Sequence, residues 1–510
     1  MRTAIYLVIL LMPLRLYAEI TPVTLLFTND IESAYDPVTA FWRDDLERIG
    51  GIAELATLIQ NYRAEHSNVF LFDAGDIYTG TLAKRTKGAV SFDLLLTMGY
   101  DAMAIGNHEF EFGWEELARQ KNRVSFPVLG ANLFYRDTDH PYAQPYAIVE
   151  RNGIRVGVIG FLGQDAGTAL IPSNIAGLEV RDPLPILRRH VSLLRDTVDL
   201  VVVLSHQGPT APMQTDDEAD PTVHRGNQEN LALAGAIPGI DVILAGHTDA
   251  GTRTPLIHPQ TGTLIMQTYG QAQHLGVVHL EIDASGKRVA QRGQLVEVQS
   301  DHLQPDPRVA EKLALYRNMH TDIYTQVGSN AEYLSRRYYE ESDLGNLFAD
   351  ILRTETGAQI GLVPSGALRK DLPMGVVRKI DLLDAFPFED HVALVEVSGQ
   401  LLKAILEQGL SLERGLLQAS GLIATYDPTQ PAGQRLLEVH IDGERLQTNQ
   451  TYTIATLEIL ARGGDAYVQF KEAESTTMQK PFAEVLEAYF GARDVVEKPQ
   501  RGRLIQLDKR

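Results

Sequence analysis

Residues 69–76 read Val69-Phe70-Leu71-Phe72-Asp73-Ala74-Gly75-Asp76. Four apolar residues in a row, with no polar alternation, suit a strand buried on both faces. The acid-alanine-glycine-acid that follows sets carboxylates at its C-terminal end. The same pattern recurs from Thr21 to about Asp283. Val23–Phe27 leads into Thr28-Asn29-Asp30, and Ala102–Ile105 into Gly106-Asn107-His108-Glu109. Leu200–Leu204 leads into Ser205-His206, and Val242–Ala245 into Gly246-His247. Helical stretches such as Gly51–Arg63 and Pro183–Arg195 lie between them. Buried strands alternating with helices predict α/β layering, with ligand chemistry gathered where the strands end.

Around Pro305-Asp306-Pro307 the pattern changes. Pro307 to about Tyr324 reads as a mostly polar helix with an apolar stripe of Val309, Leu313 and Tyr316, placed to link two domains. A second α/β unit follows. It has a helix with Leu344, Leu347, Phe348, Ile351 and Leu352 at helical spacing, and strands at Ile360–Val363, Ala393–Val397 and Leu437–Ile441. The predicted organisation is a first domain over 19–305, a linker helix over 306–325 and a second domain over 326–510.

The 510 residues carry a formal charge of −20 and no cysteine. The charge argues against nucleic acid as a partner, because such binders present a net basic face. The lack of cysteine excludes disulfides, thiolate metal sites, iron–sulfur clusters and a cysteine nucleophile. Arg2, the apolar run Ala4–Leu14 and Ala18 before Glu19 read as a signal peptide over 1–18, which implies a periplasmic or secreted protein. No later segment is long and apolar enough to span a bilayer. The acidic run Asp216-Asp217-Glu218 with Asp220 reads as a solvated loop face.

Five strand ends each deliver possible metal ligands: Asp30 with Glu32, Asp76, Asn107 with His108, His206, and His247 with Asp249. A single such group is more often a capped turn. Together, at successive strand ends, so many carboxylates and imidazoles would repel one another and lose hydration unless a cation joined them.

These motifs resemble the metallophosphoesterase domain of the secreted bacterial 5′-nucleotidase/UDP-sugar hydrolase family. So do the 50–56 stretch Gly-Gly-Ile-Ala-Glu-Leu-Ala, Gln267-Thr268-Tyr269-Gly270 with Leu275-Gly276, and the two-part layout. The resemblance implies a four-layer α/β/β/α metallophosphoesterase domain followed by a second α/β, substrate-binding domain that swings about the linker. It implies two divalent metal ions. Asp30, Glu32, Asp76 and Asp249 would hold the first; Asp76, Asn107, His206 and His247 would hold the second. His108 would be the catalytic histidine, oriented by Glu111. The substrate would be a small phosphate ester, foremost a 5′-nucleotide.

The sequence departs from the family in three places. Glu32 stands where the family has histidine, and Asp249 where it has His, Gln or Asn, so the first site would be all carboxylate. Such a site suits a hard ion, Mn²⁺ foremost, or Mg²⁺ or Ca²⁺; the second site, with His206 and His247, suits Mn²⁺, Fe or Zn²⁺. In the second domain, Pro364-Ser365-Gly366-Ala367-Leu368-Arg369 replaces an Asn-Gly-Gly-Gly-Ile-Arg turn. Arg369 is kept as an anion anchor, and Tyr338 stands where an arginine is expected. Phe388 matches one ring of an aromatic clamp, Ile459 falls on the other, and Asp465 matches a ribose contact. Two further readings therefore stand beside the nucleotidase: the same hydrolysis on a non-nucleotide phosphate ester, and a metal- or nucleotide-binding protein without turnover.

Overall fold

A computed structural model describes residues 20–40, 43–168, 170–208, 225–248, 250–284, 286–411 and 415–507. The predicted signal peptide, the acidic run at 216–220 and Asp249 lie outside the described residues.

The strand read from the opening stretch runs Val69–Asp73 and is buried throughout. It pairs in parallel with Thr21–Thr28 on one side and Ala102–Ala104 on the other. Val128–Leu129 extends the parallel set, and His274–Ile282 and Arg288–Glu297 close the other edge antiparallel. A second six-stranded sheet runs in the order Leu256–Ile257, Leu264–Gln267, Val242–Gly246, Leu200–His206, Ile154–Leu162, Tyr146–Arg151. Its four inner strands are parallel and its two edges antiparallel.

The continuous apolar runs have a direct cause. In Leu200–His206, Val202 and Leu204 face the first sheet, in one cluster with Phe27, Phe70 and Phe72. Val201 and Val203 face the opposite way, onto the helices Pro183–Arg195 and Arg225–Ala236. The first sheet is covered in turn by Ile52–Glu65, Ala89–Met98 and Pro307–Met319. Every central strand thus has two buried faces, and the result is the expected α/β/β/α stack. The sheets and side chains interlock closely. A Cβ on Gly276 would lie 2.0 Å from the Phe27 ring opposite it.

The helix predicted to end near Tyr324 is α-helical over Pro307–Met319 and continues as a 3₁₀ turn at Thr321–Tyr324. The Asp306 carboxylate accepts the Arg308 and Val309 amides at its start. Its stripe of Val309, Leu313 and Tyr316 belongs to the first unit's core.

The second unit centres on a five-stranded sheet, ordered Leu417–Ser420, Ile360–Pro364, Thr451–Leu457, His391–Ser398, Glu474–Pro481. Helices Asp343–Thr356 and Phe482–Gly491 pack on one face and Gly399–Gly409 on the other. Polar contacts join the two units. Asp384 accepts the Thr81 amide at 2.9 Å, and Lys84 pairs with Glu389 at 2.6 Å.

Candidate active site

The strand ends turn sharply to aim their side chains at one point. Asp30 (φ 48°), Glu32 (47°), Asp76 (59°) and His247 (84°) all adopt the left-handed backbone region. Each such non-glycine residue costs on the order of 1 kcal/mol, and such strain concentrates at functional sites.

Asp76 lies at the centre. One carboxylate oxygen is 3.0 Å from His206 Nε2, and the other accepts the His108 amide at 2.8 Å. His206 Nδ1 is 2.8 Å from the Ala74 carbonyl, which fixes the ring with Nε2 toward Asp76 and Asn107 Oδ1 (3.1 Å). The His247 ring is 5.0 Å from that of His206, and its Nε2 is buried without a hydrogen-bond partner. Asp76, His206 and His247 offer ligand atoms within 4.8 Å of one another, and so do Glu32, Asp76 and His108. Asp30 lies alongside. Its two oxygens accept the His247 amide, and the Asn29 side chain donates to one of them at 2.7 Å. Asn29 is locked in turn by Thr268, whose amide donates to its oxygen at 2.8 Å, which gives the Gln267–Gly270 stretch a role.

The electrostatics are those of a crowded, dry site. Burial opposes a charge on His108, but Asp76, Glu111 and Glu32 outweigh it and hold its pKa well above the ordinary value. Glu111 is 2.6 Å from His108 Nδ1 and Glu32 is 3.6 Å from Nε2. Burial likewise opposes charging His206, and the Asp76 carboxylate overrides it, raising the pKa to about 10. His247, buried beside that charge, is pushed down to about 3. Burial raises Asp30 to about 7, while Asp76, against its own desolvation, is held low by His206 and His108. This donor set fits divalent cations: buried oxygens and imidazole nitrogens converge, and the His247 Nε2 has no protein partner.

Across the boundary between the units, Arg369 lies with its guanidinium 5.3 Å from the Phe388 ring centre. It is near enough to Glu32 for each charge to act on the other. Arg336, Tyr338 and Asp465 also lie within electrostatic reach of the same guanidinium. Phe388 and Ile459 are 39% and 51% exposed, whereas Phe386 is a core residue at 1%. The Glu341–Asn346 stretch serves the fold. Ser342 caps the helix through the Gly345 amide, and Glu341 accepts the Asn346 side chain and the Gly502 amide.

Sequence reading assigned no role to Glu109. Its side chain is fully buried and accepts three backbone amides.

A family model described as calcineurin-like phosphoesterase matches residues 23–250, and one described as 5′-nucleotidase, C-terminal domain, matches 323–472. The chain belongs to the 5′-nucleotidase family. Among its relatives, the snake venom 5′-nucleotidase of Naja atra is 26% identical over 88% of this chain and 91% of its own. The trifunctional nucleotide phosphoesterase protein YfkN of Bacillus subtilis is 25% identical over 87% of this chain, which spans only 33% of that longer protein. A solved structure, a 5′-nucleotidase precursor from Thermus thermophilus, superposes with a TM-score of 0.75 at 26% identity, covering 96% of this chain and 100% of its own. The chain is a metal-dependent phosphoric ester hydrolase. No helix among the described residues is long and apolar enough to cross a membrane.

Proposed function

We propose that this 5′-nucleotidase family member hydrolyses 5′-nucleoside monophosphates with two divalent metal ions, exported behind a signal peptide over 1–18. The domain limits are those drawn from the sequence: 19–305 for catalysis, 306–325 for the link and 326–510 for substrate binding. Asp30, Glu32, Asp76 and Asp249 would hold one ion. Asp76, Asn107, His206 and His247 would hold the other, with Asp76 shared. When bound, such a pair supplies an activated water and a clamp on the phosphoryl oxygens.

The observation that carries this reading is the buried, unpartnered His247 Nε2 beside Asp76 and His206. His108, with Glu111 2.6 Å from its Nδ1, would turn Nε2 to the charge that develops on the phosphoryl or leaving oxygen. Glu111 sets the ring orientation. Arg369 binds the anionic part of the substrate, Phe388 stacks one face of a base and Asp465 contacts the sugar. Glu32 in place of an imidazole favours Mn²⁺ over Zn²⁺.

The test is metal analysis with a phosphate-release screen over nucleotides, sugar phosphates and UDP-sugars. Mn²⁺ should restore chelated enzyme better than Zn²⁺, and 5′-monophosphates should lead. Full recovery with zinc alone overturns the metal preference. A second reading, a non-nucleotide phosphate ester, draws on the exposed aliphatic Ile459 at the position where a second ring would sit. It predicts that sugar phosphates outrun nucleotides in the same screen.

A further inference from the structure

The two loops that carry the proposed ligands meet with no room for a side chain at either glycine. A Cβ on Gly106 would lie 2.2 Å from Asp76 Oδ1, and one on Gly75 would lie 2.8 Å from the Gly106 amide. Side chains at these positions are excluded, so nothing on the glycines themselves can set the distance between the loops. Glu109 spans the gap instead. Its Oε2 accepts the Asp76 amide at 2.9 Å and the Gly106 amide at 2.6 Å, and its Oε1 accepts the Ile77 amide at 2.9 Å. Its own carbonyl accepts the hydroxyl of the buried Tyr78 at 2.8 Å. Among the described residues no lysine or arginine pairs with this carboxylate, which is 0% exposed. Burying an acid on three amides, beside Asp76, is a costly way to brace a turn, and an apolar side chain would brace it more cheaply. What an apolar residue cannot do is grip amides from both loops at once.

We propose that Glu109 is a positioning residue for the metal pair, fixing Asp76 relative to the Asn107-His108 turn so that the ligands of both ions are set in advance. This rests on the two-metal reading above. The carboxylate touches neither substrate nor metal in this role. It acts through the backbone of the residues that do, and outer partners of this kind typically contribute about 10–100-fold to metal affinity.

The test is Glu109→Gln in the full chain, stripped by chelation and titrated with Co²⁺, followed by visible absorption. Glutamine keeps one acceptor oxygen and turns an NH₂ group against the remaining backbone donors. Wild type should take up two Co²⁺. Glu109→Gln should bind them about 10–100-fold more weakly with an altered ligand-field spectrum. With Mn²⁺ in excess its kcat should return to within a few-fold of wild type at unchanged KM. A merely structural carboxylate would instead lower the unfolding temperature of the metal-free protein and leave Co²⁺ affinity unchanged, and that result overturns the proposal. Wild type that binds no Co²⁺ overturns this proposal together with the metal reading. Should Glu109→Gln fail to fold, Tyr78→Phe, which removes one support of the same residue, decides. Weaker Co²⁺ binding sustains the role, and unchanged binding ends it.

Discussion

His108 is gripped at both ring nitrogens, by Glu111 at 2.6 Å and Glu32 at 3.6 Å, and its amide is tied to Asp76. That geometry separates its role from those of the ligands. His108→Ala should lower kcat by about 10²–10⁴ while leaving metal content near normal. His247→Ala, which removes the unpartnered Nε2, should lose metal. Metal loss in His108→Ala would overturn the assignment. The site also sets how the metal-free protein responds to pH. His206 rises from 6.5 to about 10 on folding, so its contribution to stability is complete below pH 6.5 and is lost as pH climbs through 10. His108 has the same sign. Asp30 and Glu109, both raised to about 7 by burial, also favour the acid side. His247, pushed to about 3, has the opposite sign, but its window lies below pH 6.5. In EDTA the unfolding temperature should therefore fall between pH 6.5 and 10, and His206→Asn should flatten the fall. A midpoint that rises with pH in EDTA would contradict this account.

At the level of elements, the strand ends were legible because each buried strand must stop where its polar residues begin. Val69–Asp73, Leu200–His206 and Val242–Gly246 end at or just before Asp76, His206 and His247, which the fold groups together. Glu109 was not legible, since a carboxylate that grips amides from a distant loop leaves no local pattern. The pocket wall could be read only by position. Phe388 offers one aromatic face, shared with Arg369 and the edge of Phe386, and Ile459 offers none. One-sided stacking contributes about 1–3 kcal/mol and accepts any base. The kcat/KM values for AMP, GMP, UMP and CMP should therefore fall within about tenfold of one another, roughly 1.4 kcal/mol. Phe388→Ala should raise KM for all four and barely affect a small aryl phosphate. Strong preference for one base would require a base-reading group elsewhere.

In the whole molecule, the chemistry is split between two units that must be held face to face. Asp30, Glu32, Asp76, His206 and His247 lie on the first, Arg369 and Phe388 on the second. Only the contacts between units bring Arg369 within electrostatic reach of Glu32. These contacts differ in worth. Lys84–Glu389 is solvent-exposed on both sides and contributes about 0–1 kcal/mol, less at high salt. Asp384 is more sheltered. It accepts the Thr81 amide at 2.9 Å and sits 3.4 Å from Lys370, beside Arg369 in the chain. A hydrogen bond to a charged group of this kind contributes about 1.5–3 kcal/mol. Asp384→Ala should thus loosen the docking of the substrate-binding half and lower kcat/KM for nucleotides about threefold to tenfold, mainly through KM. Metal content and hydrolysis of a small aryl phosphate, which needs less of the second unit, should hold. Lys84→Ala should change little beyond the salt dependence. Solution scattering should report a larger radius of gyration for Asp384→Ala alone. Equal effects from the two substitutions, or a loss confined to kcat with both substrates, would mean that the units are held together by something other than this contact.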